Sequence, residues 1–132
     1  MKPRIFVFLF LILVGFLAVT ESTDAQTRIR FARGAVRANV SGVLNSYQSK
    51  RTYVIRVRAG QTLKTEQRGS NQRPVTISIK DPNGNDVGDA DASCNDRKEL
   101  SPTVAGDYLI AVIECRKADP WRGSFTFRVT VR

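Results

Sequence analysis

The chain has 132 residues, of which 42% are hydrophobic, and its formal net charge is +9 with no histidine. A chain without histidine lacks the commonest general base and cannot form a histidine-dependent catalytic triad. Paired carboxylates such as Asp96 and Glu99 are the alternative source of acid–base chemistry. The sequence sets no distance between them, so we expect a protein that is not an enzyme and uses no cofactor.

The first 25 residues are typical of a secretory signal peptide. Lys2 and Arg4 precede an apolar run over 5–19, and Thr23 and Ala25 place small residues before Gln26. An uncleaved membrane anchor is the alternative, but the run is shorter than the roughly 20 apolar residues of a spanning helix. We therefore expect a periplasmic or secreted protein without stable membrane insertion after cleavage, whose residues 26–132 form one binding domain.

The rest of the chain predicts short strands and turns. The clearest pattern lies in 51–66, where Tyr53, Ile55 and Val57 point one way before the Ala59-Gly60 turn. The residues that point the other way are Thr52, Val54, Arg56 and Arg58. Such alternation around a glycine turn predicts a half-buried antiparallel hairpin. The other predicted strands are 28–34, 35–44 with a break at Ser41-Gly42, 75–80, 98–100, 108–113 and 124–132.

Three features refine this prediction. Residues 108–113 are apolar on both faces, which predicts a central strand that is covered on both sides. The strand 124–132 places Phe125, Phe127, Val129 and Val131 on one face, and 81–84 is a strong turn signal. About eight short strands in a domain of this length predict an all-β fold, a single antiparallel β-sandwich with Greek-key or jelly-roll connections.

The two cysteines, Cys94 and Cys115, both follow the predicted signal peptide. An even cysteine count in an exported chain predicts one disulfide bond between them. Two free thiols are the alternative. A zinc site is not supported, because two thiolates without histidine do not complete its coordination.

Positive charge is concentrated in the first half of the domain. Residues 26–80 hold twelve basic residues and one acidic residue, whereas residues 81–132 hold seven basic and nine acidic residues. We expect a basic face that includes Arg56, Arg58, Arg128 and Arg132. Such a face attracts polyanions, here an anionic glycan, a lipid headgroup or a nucleic acid. A solvated face that only maintains solubility is the alternative.

Four segments, YVIRVRAGQTLKT, VTISIKDPNGNDV, LSPTVAGDYLIAVIE and FTFRVTV, resemble the pre-peptidase C-terminal domain family. The resemblance covers 52–131 and implies a bacterial extracytoplasmic β-sandwich. The segment IRFARGAVRANVSGVLNSYQSKRTYVIRVRAGQTL is similar to the proteins that inhibit goose-type lysozyme. That likeness implies a proteinaceous inhibitor of a muramidase. The disulfide, the acidic loop 85–96 and the strong positive charge depart from the pattern, and a basic inhibitor favours a target that is less basic.

The same resemblance places Tyr47 and the loop after Cys115 at the enzyme cleft. In that loop we predict that Arg116, Lys117 and Trp121 contact the partner, since tryptophan and arginine dominate protein interfaces. For Trp121 the alternative is that its ring covers the open end of the core.

A metal site is predicted only weakly. Asp86, Asp89 and Asp91 could bind calcium, but an EF-hand loop needs glycine at its sixth position and glutamate at its twelfth. Counted from Asp81, these positions hold Asp86 and Ala92. A polar hairpin tip is the alternative interpretation.

Overall fold

The computed structural model describes residues 25–46, 49–69, 73–88, 94 and 96–132. The predicted signal peptide lies almost wholly outside these residues. Within them the chain forms nine strands: β1 (Thr27–Arg28), β2 (Arg37–Leu44), β3 (Arg51–Val57), β4 (Leu63–Gln67), β5 (Val75–Lys80), β6 (Asp86–Val87), β7 (Arg97–Leu100), β8 (Gly106–Glu114) and β9 (Gly123–Val131). Across the described ranges, no helix is long and apolar enough to cross a membrane.

The strands form two packed sheets. Sheet A has five strands in the order β1-β3-β8-β5-β6, and sheet B has four in the order β2-β9-β4-β7. Strand pairing is antiparallel except between β1 and β3, which are parallel. The predicted all-β sandwich is confirmed. Among the described strands only β5 and β6 form a hairpin; every other connection crosses from one sheet to the other.

This crossing overturns the predicted hairpin over 51–66. β3 pairs with β1 and β8, whereas β4 pairs with β7 and β9 in the opposite sheet. The connection 58–62 is held instead by Thr103, whose carbonyl accepts the Gly60 N–H at 2.8 Å and whose N–H donates to the Gln61 carbonyl at 2.9 Å. Alternation identifies the buried face of each strand but not its hydrogen-bonding partner.

Two other predictions were wrong in detail. The first strand is only Thr27–Arg28. Beyond it the Ile29 N–H donates to the Val54 carbonyl at 2.8 Å, and the pairing with β3 goes no further. β8 is central, between β3 and β5, but only its inward residues are fully buried. Its outward residues Leu109, Ala111 and Ile113 are half-buried, because the second sheet covers one face of sheet A.

The predicted break at Ser41-Gly42 does not occur, and β2 runs continuously through it. Gly42 pairs with Phe125 of β9 and faces the core. A Cβ atom at Gly42 would overlap the Tyr53 hydroxyl and the Phe125 ring. Phe127 meets the Tyr53 ring edge-on, with centroids 5.2 Å apart, and stacks with Phe125 at 6.3 Å. Glycine is therefore required here by close approach of aromatic rings from both sheets.

We expect Gly42→Ala to lower the free energy of unfolding by about 1–3 kcal/mol, the usual cost of overpacking a core. Urea denaturation followed by tryptophan fluorescence measures this change. Ser41→Ala is the matched control, because Ser41 is exposed on the other face of the same strand. Equal stability of the two variants would contradict the close packing around Gly42.

Candidate functional site

Strand register places four connections at one end of the sandwich. These are the described residues of 45–50, 68–74, 88–96 and 115–122, which we call the disulfide end. At that end Leu44 pairs with Gly123, Arg51 with Val112, and Val75 with Glu114. The strands β4 and β7 stop short of it, because Gln67 pairs with Phe127 in the middle of β9 and Glu66 with Arg97, and the chain runs on from there toward the same end. Segments far apart in sequence therefore form one surface.

The predicted disulfide between Cys94 and Cys115 is confirmed. Cys115 directly follows β8, and the Cys94 N–H donates to the Thr76 hydroxyl of β5 at 2.8 Å. The bridge thus ties the connection between β6 and β7 to the central strands of sheet A.

The loop 115–122 is held at both of its ends. The Pro74 carbonyl accepts the Cys115 N–H at 3.0 Å and the Trp121 indole N–H at 3.2 Å. The Trp121 backbone N–H donates to Glu114 Oε2, also at 3.2 Å. With a disulfide at one end and a buried indole at the other, the loop is fixed to the sandwich before any partner binds.

Trp121 itself lies in the core, with 4% of its surface exposed. Its ring is packed in the same hydrophobic cluster as Leu44 and Phe125. This placement agrees with the interpretation that the ring covers the end of the core, and it leaves no indole face with which to contact a partner. The partner-contact role predicted for Trp121 is therefore not retained.

Arg116 and Lys117 occupy the turn of the same loop and are both exposed. The turn is closed by the Ala118 N–H, which donates to the Cys115 carbonyl at 3.3 Å. Further exposed cations lie at this end of the sandwich: Lys50, Arg51, Arg68, Arg73 and Arg122. The sequence did not point to these five as a group, because they come from three separate segments.

Tyr47 lies outside the described residues, so its predicted contact stays a prediction. Described residues on either side of it contact each other. The Ser49 hydroxyl accepts the backbone N–H groups of Asn45 at 3.1 Å and Ser46 at 2.8 Å.

Of the three calcium candidates, Asp86 alone lies among the described residues. Asp86 lies in β6 and pairs with Lys80, with Nζ and Oδ1 3.3 Å apart, while Asp89 and Asp91 are not described. Asp81 accepts the N–H groups of Asn83 and Asn85, both at 2.9 Å. These bonds lower the pKa of Asp81, and the bond from the Asn85 N–H has the largest effect. Its carboxylate therefore shapes the tip of the β5–β6 hairpin, and the described residues contain no group of three potential metal ligands.

The single basic face predicted from Arg56, Arg58, Arg128 and Arg132 is wrong. Arg56 faces outward from sheet A and Arg58 follows the end of its strand, whereas Arg128 points outward from sheet B and Arg132 follows the end of β9. The two pairs lie on opposite sheets. Alternation shows that each side chain faces outward but not which sheet its strand joins.

On sheet A the cations are partly neutralised. Arg28 makes a bidentate contact with Asp107, at 3.2 and 3.1 Å, and Arg56 approaches the same carboxylate at 3.5 Å. The hydrogen bond from Arg28, with the charge of Arg56, holds the pKa of Asp107 below its usual value. Because Arg28 belongs to β1 and Asp107 to β8, this pair also fastens the short edge strand to the sheet.

Comparison with known proteins supports the fold. No protein-family model matches the chain, and no curated protein matches it significantly in sequence. Among solved structures, PliG from Aeromonas hydrophila, a periplasmic inhibitor of g-type lysozyme, has a TM-score of 0.62 at 20% identity and covers 81% of this chain and 96% of its own. PliG from Salmonella Typhimurium has a TM-score of 0.57 at 18% identity, covering 83% and 100% of the two chains.

The pre-peptidase C-terminal domain of a Bacillus anthracis collagenase is also similar, with a TM-score of 0.55 at 16% identity and coverage of 83% and 97%. The chain has a PliG-like fold. The PliG-like fold is thus shared by lysozyme inhibitors and by a pre-peptidase domain, in agreement with the resemblance in the sequence. At these identities the likeness concerns the fold, and the roles of residues must come from the geometry of this chain.

Removal of the disulfide tests how far it holds the loops. We expect Cys94→Ser/Cys115→Ser to lower the free energy of unfolding by about 3 kcal/mol, because the bridge spans 21 residues and restricts the unfolded chain. Urea denaturation of the variant, beside reduced and oxidised wild-type protein, measures the change. A variant as stable as the oxidised protein would contradict this role.

The lowered pKa of Asp107 predicts a pH dependence. The carboxylate stabilises the fold above its unfolded pKa of about 3.9, and this stabilisation is lost as the pH falls through the lower folded value. We expect the urea midpoint of Asp107→Asn to fall less steeply than that of wild type below about pH 5. Asp119→Asn removes an exposed loop carboxylate and is the control. Identical slopes for Asp107→Asn and wild type would contradict the ion pair.

Proposed function

We propose that the protein is an exported, non-enzymatic inhibitor of a goose-type lysozyme, which it binds through the disulfide end. The observation that carries the proposal is the exposed Arg116-Lys117 turn on a loop fixed by a disulfide, a buried tryptophan and two bonds to one carbonyl. The fold likeness to periplasmic inhibitors of g-type lysozyme supports the target class.

A fixed loop suits inhibition of an enzyme cleft. Binding normally costs free energy to order flexible loops, and a loop that is already in place avoids most of that cost. Rigid inhibitors of enzymes change little on binding. The contacts of Pro74 with both ends of the loop supply this rigidity in the free protein.

Charge also favours this end of the molecule. Most glycoside hydrolases act with two carboxyl groups that flank the scissile bond. A cationic turn that enters such a cleft complements those carboxyl groups, even though the whole inhibitor is basic. We therefore propose that Arg116 and Lys117 enter the cleft and that the 45–50 loop, with Tyr47, lies beside them, because Leu44 and Arg51 flank it at the same end.

Titration of a goose-type lysozyme with the purified protein tests the proposal. We expect inhibition at micromolar concentration or below, where a specific complex has a binding free energy of about −8 kcal/mol. Arg116→Ala/Lys117→Ala should weaken inhibition by roughly thirtyfold, or about 2 kcal/mol, as expected for residues at the centre of an interface.

Arg56→Ala/Arg58→Ala is the matched control, because it removes the same charge from residues at the opposite end of β3. We expect it to inhibit as wild type does. An unaltered lysozyme rate at micromolar protein would refute the proposed target. Equal weakening by the two double variants would refute the proposed surface.

A further inference from the structure

The outward face of sheet B contains a shallow polar depression that plays no part in the proposed inhibition. Its lining includes Arg37, Lys64, Glu66, Arg128, Thr130 and Arg132. These residues lie on or directly after three neighbouring strands, β2, β9 and β4. Arg37, Lys64 and Glu66 belong to the strongly basic first half of the domain, and the other three belong to the second half. The fold thus gathers arginines that lie far apart in the sequence.

Strand register orders these charges into two rows across the sheet. One row runs from Arg37 through Thr130 and Lys64 to Glu99. The next runs from Asn39 through Arg128 and Glu66 to Arg97. In both rows the carboxylate lies on β4 or β7. The strip formed by β2 and β9 therefore carries arginine, hydroxyl and amide groups without an acidic side chain.

The carboxylate of Glu66 is already surrounded by cations. Lys64 and Arg68 each approach it at 3.9 Å, and Arg97 approaches it at 3.3 Å. One negative charge is thus outnumbered by three positive charges, so the local charge beside the arginines of the neighbouring strip stays positive.

Those arginines have no carboxylate partner among the described residues. Arg128 donates from Nε to the Asn39 amide oxygen at 3.1 Å, a neutral acceptor that orients its guanidinium. Arg37 and Arg132 are exposed, and no described ion pair includes them. On sheet A, in contrast, Arg28 and Arg56 share Asp107. The two basic surfaces thus differ in how much charge remains to attract an anion.

We propose that the strip formed by β2 and β9 binds a linear glycan that bears carboxylate or sulfate groups. Arginine forms bidentate contacts with such anions. Between the arginines, Ser41 and Thr126 form a hydroxyl pair at 2.8 Å, and Asn39 and Thr130 add further groups that bond sugar hydroxyls. Arg128 and Arg132 are four residues apart, about 14 Å along an extended strand, so the strip spans several sugar units rather than one ion.

Other polyanions fit this strip less well. Single-stranded nucleic acid binds by stacking its bases on aromatic side chains, and the outward positions of the four strands of sheet B hold none. A membrane surface is bound by burying apolar side chains, and Val43 is the one large apolar residue among these outward positions.

Binding to four probes tests the proposal: a heparin-derived octasaccharide, an oligogalacturonate, a single-stranded oligonucleotide and vesicles that contain anionic lipid. We expect one or both glycans to bind more tightly than the oligonucleotide and the vesicles. Affinity should fall between 50 and 200 mM salt, as expected when cations contact anionic groups. No glycan binding at 50 mM salt, or tighter binding of the oligonucleotide or the vesicles, would overturn the proposal.

Arg37→Gln/Arg132→Gln removes two exposed arginines of the strip, and we expect the glycan affinity to fall about tenfold, with a salt slope shallower by about two. Arg56→Gln/Arg58→Gln removes the same charge outside the strip and should leave the affinity within about twofold of wild type. Equal losses in both variants would show attraction by net charge alone and overturn the proposal. Inhibition of lysozyme should be unchanged in both, which separates this site from the disulfide end.

Discussion

The contact of Gly42 with Tyr53 and Phe125 is the constraint on which the rest of the structure depends. It brings β2 and β9 of one sheet against β3 of the other, with Phe127 packed against both aromatic rings. Since seven of the eight connections between the described strands cross between sheets, the fold has little local pairing to stabilise it. The packing of the two inner faces therefore carries the stability, and the glycine allows the faces to meet at this point.

Strand register determines which loops lie together at one end of the sandwich. β2 pairs with β9 and β3 with β8 in long antiparallel ladders, so the loops that follow β2 and β8 are brought to the same end. The disulfide and the two hydrogen bonds to the Pro74 carbonyl fix the second of these loops. A cationic turn on a rigid loop and a strip of arginines on a flat sheet are physically different sites. We propose the first as the contact with an enzyme cleft and the second as the contact with an extended anion.

The fold, and not the order of residues in the chain, decides which basic side chains lie beside a carboxylate. Asp107 neutralises part of the charge on sheet A, and Glu66 does so at one side of sheet B. Among the described residues, exposed basic side chains outside these ion pairs lie at the disulfide end and along β2 and β9, and also at Arg30, Arg33 and Arg58. The two proposed sites therefore lie on different parts of the molecule, and the two proposals do not require the same residues.

The sequence by itself determined the fold class, the buried face of most strands, the disulfide and the turn at 81–84, because alternation, cysteine count and turn chemistry are local properties. It did not determine that β3 and β4 belong to different sheets, that β2 continues through Gly42, or that Arg56 and Arg128 face away from each other. Those features depend on which strands pair and which faces meet. Pairing is set by the free energy of the whole core, to which Gly42 and Trp121 contribute only when residues far apart in the chain pack against them.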